Sequence, residues 1–242
     1  VGVAEITHVN EVHCKVNAQN KCEDGSDIGL PKAVKYPFNL QLLLHMDATK
    51  NTRLLREVYV MQTKEQVVLG KDTEGEEIKG YKRVLVTKDD RVQDFNGITR
   101  RGDNKLVPVR LVTPSFEFPL IKTTVGGQDR YGFQDSVLLD GVITDVTNST
   151  IKTKSKMTYA EDHPTNPFRH QFHPHHSKGR SVQRTMTITL SGLINNDTGK
   201  LKGIYEETME GLHKQALKLK GDIQLTKVNG ITTLNPDEHG GE

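Results

Sequence analysis

Histidine is concentrated in one stretch of this chain, Glu161 to His176, which reads EDHPTNPFRHQFHPHH. Imidazole is the commonest metal ligand in proteins and titrates near neutral pH, so the stretch concentrates both properties. Its three prolines fix φ and remove backbone donors, which predicts a shaped loop rather than a helix or the interior of a sheet. It contains five of the ten histidines: His163, His170, His173, His175 and His176.

A metal site is the sharper hypothesis for this stretch. His170, His173 and His175 could converge from a turn, and zinc or copper would suit such imidazole-rich donors, although no cofactor is certain. The alternative is a structural loop whose histidines bond to the backbone and pack beside Phe168 and Phe172. We favour the structural loop.

Cys14 and Cys22 are the two cysteines of the chain, and they flank the polar stretch KVNAQNK. A hairpin would bring the thiols together, and the resulting disulfide would stabilise the fold by about 2–3 kcal/mol. We expect this disulfide in a secreted protein and two free thiols in a cytosolic one. A thiolate zinc site has no support, because there is no CxxC pair.

Familiar enzyme motifs are absent from the sequence. It contains no HExxH, no GxSxG and no Walker-type phosphate loop, which favours a protein that is not an enzyme. Glu206, Glu207 and Glu210 could include general acids, but three glutamates so close together are interpreted as a solvated surface.

Composition restricts the class of protein further. The chain has thirty-three basic and thirty-one acidic residues. The resulting net charge of +2 argues against a general nucleic-acid partner. We expect no membrane span, because no apolar run approaches the roughly 18–20 residues that a helix needs to cross a bilayer. The chain begins at Val1 without an initiator Met. Either a leader was removed or the chain is a segment of a longer product, and we favour a removed secretion signal.

Alternating apolar and polar residues predict strands over most of the chain. The strand pattern is clearest in Ser181 to Leu193, and Phe38 to Met46 with Arg53 to Gln62 is typical of a β-hairpin. Gly203 to Val228 could hold an amphipathic helix, but its alternation favours two strands joined by a turn. The charged, Gly-punctuated stretch Lys64 to Gly80 is interpreted as a connection.

These patterns predict one all-β domain over residues 1–234, an antiparallel two-sheet sandwich of jelly-roll or immunoglobulin-like type with long loops. Residues 235–242, NPDEHGGE, are predicted to be a flexible C-terminal tail.

Four motifs occur in order along the chain: LLLHMDA at Leu42, RLLREV at Arg53, HPTNPFRHQFHPHH at His163 and GIYEETMEGLHK at Gly203. This order resembles a group of uncharacterised large secreted bacterial proteins that carry HPxNPFxHxxHPxH and GxYxExxxGLHK motifs. The resemblance implies an extracellular β-sandwich-like module without an assigned activity. Where that group has HPDHD, this chain has HPHHS from His173, so the resemblance does not carry an oxygen-rich calcium site onto it.

We therefore expect a non-enzymatic, secreted structural or adhesive module of an envelope, matrix or fibre. Its partners would be copies of itself or neighbouring envelope or matrix proteins, and it could assemble by lending its N-terminal strand to a neighbouring sheet. The alternative is a metal-dependent hydrolase or oxidoreductase that uses the His-rich stretch. A ligand-binding or surface-layer module with a structural metal is a third possibility.

Overall fold

The computed structural model describes residues 1–10, 17–19, 30–100, 102, 105–113, 118–143, 149–158, 181–195, 199–211 and 216–237. Within these ranges the regular secondary structure is β-strand except for a short 3₁₀ helix at Asp89–Asp94. The predicted all-β fold is confirmed. The described residues contain no helix of the length and hydrophobicity that crossing a membrane requires.

Nine strands of the described chain form one antiparallel sheet. In spatial order they are β2 (Lys32–Leu42), β1 (Gly2–Val9), β19 (Leu217–Thr226), β18 (Lys200–Glu210), β17 (Ser181–Asn195), β16 (Ser149–Thr158), β15 (Ser136–Val142), β4 (Asn51–Leu55) and β3 (Leu44–Met46). The two ends of this order, β2 and β3, are consecutive in the chain and separated only by Leu43. The sheet therefore curls until both of its edges lie in one segment, residues 32–46, and we call it the curled sheet.

The concave face of the curled sheet carries the main hydrophobic core. Successive side chains of a strand point to opposite faces, and β16 to β19 follow this period of two over most of their length. In β16, for example, Ile151 is buried and its neighbour Lys152 is exposed. The buried core residues are Ala4, Ile6, Leu42, Leu54, Phe118, Leu139, Ile151, Met186, Ile188, Leu190, Tyr205, Leu219, Ile223 and Leu225.

Two glycines permit the close approach of strands inside the curl. A Cβ atom added at Gly221 would lie 2.1 Å from the carbonyl oxygen of Glu5, and one at Gly203 would lie 2.2 Å from that of Thr189. No side chain fits at these distances, and glycine at such positions allows a sheet to bend sharply.

A smaller sheet packs beside the curled sheet and gives the fold its sandwich-like second layer. Its central strand is β5 (Glu57–Thr63), which pairs with β12 (Val109–Val112), β8 (Arg83–Val86) and β9 (Phe95–Asn96). The chain passes directly from β4 of the curled sheet into β5 of the small sheet at Arg56. Leu43, Leu55, Val58 and Leu85 form a buried cluster at this junction.

Three two-stranded hairpins complete the described chain: β6 (Val67–Lys71) with β7 (Glu77–Gly80), β10 (Thr99–Arg100) with β11 (Leu106–Val107), and β13 (Leu120–Val125) with β14 (Gln128–Phe133). The first corrects the interpretation of Lys64 to Gly80 as a connection. Its charged middle is the turn, where Gly75 adopts a φ of 91°, a left-handed conformation that glycine tolerates.

Other local predictions can now be compared with the structure. The predicted hairpin is confirmed only next to its turn, where β3 and β4 pair across residues 47–50. Its outer parts separate, because residues 38–42 pair with β1 and residues 57–62 belong to the small sheet. The helix alternative for Gly203 to Val228 is wrong, since β18 and β19 occupy most of that stretch. The first residue of the predicted tail, Asn235, is anchored rather than flexible, because its side chain accepts a hydrogen bond from Thr87 N at 2.7 Å. Residues 238–242 lie outside the described residues, so the tail remains a prediction.

Candidate functional site

The sequence-predicted site residues lie outside the described residues. These are the metal candidates His163, His170, His173, His175 and His176 and the disulfide candidates Cys14 and Cys22, so both assignments remain predictions. In the part of the chain that is described, no three His, Cys, Asp or Glu side chains are grouped so that they could hold a metal ion.

None of the three hairpins pairs with a further strand of the described chain. We call the two longer ones, β6–β7 and β13–β14, the hairpin arms. An isolated two-stranded hairpin is at best marginally stable in water. Both arms nevertheless expose large apolar side chains, about half of each lying in solvent: Val68, Leu69 and Ile78 on the first and Ile121, Val125 and Tyr131 on the second. In the second arm, Ile121 and Val125 share one face, whereas Tyr131 lies opposite Lys122 on the other face. Apolar exposure of this kind supports an interaction surface.

The arms differ in charge. The acidic arm, β6–β7, has four carboxylates and two lysines, whereas the basic arm, β13–β14, has Lys122 and Arg130 against Asp129. Lys122 and Asp129 pair with each other at 2.6 Å. Among the described residues, Arg130 of the basic arm and Glu74 and Glu76 of the acidic arm have no ion-pair partner.

A cavity of about 420 Å³ lies where the curled sheet, the small sheet and the segment of residues 227–232 meet. Its walls are mostly aliphatic. The curled sheet and its junction supply Leu43, Leu44 and Leu201, and the small sheet supplies Val58, Leu85 and Leu111. The segment 227–232 forms the remaining side.

His45 is a buried polar residue in the wall of this cavity, with 6% of its surface exposed. Its Nε2 lies 3.1 Å from the carbonyl oxygen of Ile231, which can only accept a hydrogen bond. Nε2 must therefore carry the hydrogen, and in a neutral ring Nδ1 is then an acceptor. Nδ1 is buried and has no partner among the described residues. A buried acceptor in this state costs about 1–3 kcal/mol.

The surroundings of His45 favour the neutral ring. Burial lowers its pKa below the ordinary 6.5, and Arg53, its cross-strand neighbour, lowers it further. The Ile231 carbonyl and Asp47 oppose this shift, but the net direction is downward. Nδ1 is therefore an unprotonated acceptor at neutral pH.

A buried ion pair lies inside the curled sheet, between Arg184 of β17 and Glu207 of β18. Arg184 Nε donates to Glu207 Oε1, and the Tyr205 hydroxyl donates to Glu207 Oε2 at 2.7 Å. Both carboxylate oxygens therefore accept strong hydrogen bonds, so Glu207 is held as a structural anion rather than as a free base. The prediction of a solvated glutamate surface is wrong for this residue, because alternation places Glu207 inside while Glu206 and Glu210 face solvent.

The small sheet has a second anchored carboxylate. Glu57 is 2% exposed and accepts a hydrogen bond from Arg110 Nε at 2.8 Å. Burial alone would raise the pKa of Glu57, but bonds from Arg110 and Tyr59 lower it overall. Burial and the neighbouring Glu57 raise the pKa of Tyr59 to about 12. Near neutral pH, Glu57 therefore stays ionised and Tyr59 stays protonated, so this set of side chains is structural.

His45 is the polar cavity residue that sequence reasoning missed. The available signal was a lone histidine interrupting the apolar run LQLLLHM, and it was outweighed by the larger His-rich stretch. No match to a family model or to a curated protein was found for this chain. The function is therefore inferred from its geometry.

Removing one partner of the interior ion pair should destabilise the protein strongly. Arg184→Met leaves Glu207 buried without its cation, and we expect a loss of about 3–5 kcal/mol in the free energy of unfolding. Arg184→Met combined with Glu207→Leu should cost less, because no uncompensated charge remains. Urea unfolding of the three proteins measures both effects.

The exposed pair Lys220–Glu206, 3.8 Å apart and joining β18 to β19, is the matched control. Lys220→Met should change stability by less than about 1 kcal/mol. An Arg184→Met loss no larger than that of Lys220→Met would contradict a stabilising interior pair.

Proposed function

We propose that this protein is a non-enzymatic, secreted structural subunit that associates with copies of itself through its two hairpin arms. The observation that carries the proposal is the exposure of three large apolar side chains on each of two hairpins that pair with no further strand of the described chain. Contact with a partner would bury these side chains.

A second copy is the partner that the charges of the arms favour. The acidic arm of one molecule complements the basic arm of another, with Glu74 and Glu76 facing Arg130 across the contact. Because the two arms are different surfaces of one chain, this contact is head-to-tail and generates a ring or an open fibre. Such growth fits a subunit of an envelope, matrix or fibre.

Strand exchange is a second route to the same assembly. β1 lies between β2 and β19 and is paired on both sides, so it completes its own sheet. The chain between β1 and β2 is long enough in sequence to let β1 insert into a neighbouring molecule instead. We favour the arms, because each exposes three large apolar side chains to solvent.

The buried carboxylates support a non-enzymatic role. Glu57 and Glu207 are occupied by arginine and tyrosine donors, which removes them as general bases. The metal-dependent alternative depends on the His-rich stretch at 161–176, which lies outside the described residues, and is open to a direct test.

Charge reversal on either arm should weaken self-association. Arg130→Glu makes both arms acidic, and Glu74→Arg with Glu76→Arg makes both basic, so we expect association at least about tenfold weaker in each case. Combining all three changes restores opposite charges and should restore association. Sedimentation velocity over a range of protein concentrations, at low salt, measures this.

Lys154→Glu, on the outer face of β16, is the matched control for Arg130→Glu and should leave association unchanged. A wild-type protein that stays monomeric at all concentrations would exclude the arm proposal. Equal loss of association in Arg130→Glu and Lys154→Glu would assign the effect to net charge alone.

Elemental analysis after zinc or copper loading and dialysis tests the metal alternative. We expect no stoichiometric metal, because the structural loop is favoured. One metal per chain, lost in the His173→Ala/His175→Ala variant and retained in His8→Ala, would support the metal-dependent enzyme instead.

A further inference from the structure

The chain contains two Asn–Gly dipeptides, Asn96–Gly97 and Asn229–Gly230, and both lie in the same short sequence, NGIT. Asparagine is among the chemically labile residues of proteins. Before glycine it is prone to deamidation, because glycine has no side chain to shield its amide nitrogen and leaves the backbone free to bend. Since the sequences match, the difference between the two sites lies in their structural surroundings.

The first dipeptide is held inside the small sheet. Asn96 belongs to β9 and pairs with Gln62 of β5. Gly97 is buried, and a Cβ atom added to it would lie 2.3 Å from the carbonyl carbon of Val107. The next residue, Ile98, donates a hydrogen bond to the Val107 carbonyl at 3.2 Å. The backbone is therefore fixed on both sides of this dipeptide, which opposes any reaction that must bend it.

The second dipeptide lies in the segment of residues 227–232, which forms one side of the cavity. Gly230 is exposed, and apart from its chain neighbours no atom of the described chain lies within 4 Å of where its Cβ would be. Its amide nitrogen donates to no acceptor among the described residues. This nitrogen is therefore accessible and free of a hydrogen bond that a reaction would have to break.

The side chain of Asn229 is directed toward the backbone that follows it. Its Oδ1 accepts a hydrogen bond from Ile231 N at 3.1 Å. If the Gly230 nitrogen attacks the side-chain carbonyl carbon, negative charge develops on this same oxygen. A donor that already points at an oxygen where charge develops stabilises the transition state. The Ile231 amide is therefore placed to favour attack by the Gly230 nitrogen.

We propose that Asn229 deamidates spontaneously in the folded protein, through a cyclic succinimide, whereas Asn96 is protected. The Gly230 nitrogen loses its proton to hydroxide and forms a bond to the Asn229 side-chain carbonyl carbon, and ammonia leaves. Water then adds to either carbonyl of the succinimide and breaks its bond to nitrogen, which leaves aspartate or isoaspartate at position 229. The net reaction consumes one water and releases one ammonia.

Formation of isoaspartate should loosen the segment of residues 227–232. The former side-chain carbon of Asn229 becomes part of the main chain, so the backbone lengthens by one atom and the turn that held Ile231 N is lost. The Ile231 carbonyl is the group that accepts from His45 Nε2 at 3.1 Å and so attaches the segment to β3. We expect the longer backbone to displace this carbonyl from His45.

Ageing of the intact protein at mildly alkaline pH, followed by peptide mapping with mass spectrometry, tests the proposal. We expect deamidation in the folded protein to be at least about tenfold faster at Asn229 than at Asn96, which must first leave its strand. In concentrated urea the two rates should become similar. Equal rates in the folded protein would overturn the proposal, as would a rate at Asn229 that folding slows as much as the rate at Asn96.

Gly230→Ala is the matched variant, because the open space around Gly230 accommodates a methyl group. The methyl group hinders attack by the nitrogen, so deamidation at Asn229 should fall at least about tenfold, while circular dichroism confirms the fold. An unchanged rate would overturn the succinimide route and indicate direct hydrolysis of the side chain.

Hydrogen exchange of the aged protein, separated by ion exchange, tests the loosening. The Ile231 amide should exchange at least about tenfold faster in the isoaspartate form than in fresh protein. Unchanged protection of this amide would contradict the predicted displacement.

Discussion

Closure of the large sheet through residues 32–46 is the constraint on which the rest of the structure depends. The β2 part of this segment pairs with β1, and its β3 part pairs with β4, while the Leu55 amide donates to the Leu43 carbonyl at 2.8 Å between them. One segment thus joins both edges of the sheet. Without it, the concave face that buries Ile6 and Tyr205 would open to water, at a large hydrophobic cost.

Closure also determines where polar groups can lie. The Arg184–Glu207 pair is surrounded by apolar core because β17 and β18 turn their buried faces toward the enclosed interior. The cavity and His45 lie where the closing segment continues toward the small sheet. The hairpin arms make no strand pairs with this closed body.

Local patterns in the sequence predicted much of the fold, because alternation with a period of two reports directly which face of a strand is buried. They identified β17 and the β3–β4 hairpin. They did not predict closure, which depends on the distant pairing of Gly2 with Leu42. Charge composition led to two wrong predictions. Lys64 to Gly80 was interpreted as a connection although it contains the acidic arm, and Glu207 was assigned to the surface although it is buried. His45 was missed because its environment is built by Ile231, far away in sequence.

Native-state hydrogen exchange tests sheet closure most directly. If closure is the constraint, the amides of Leu55 in β4 and Ile6 in β1 exchange only by global unfolding, with the same free energy as the amide of Tyr205 in β18. That free energy should equal the value from urea unfolding. Exchange of Leu55 and Ile6 at a much lower free energy, while Tyr205 stays protected, would contradict the account. It would show that the rest of the sheet stays folded when its two edges are not joined.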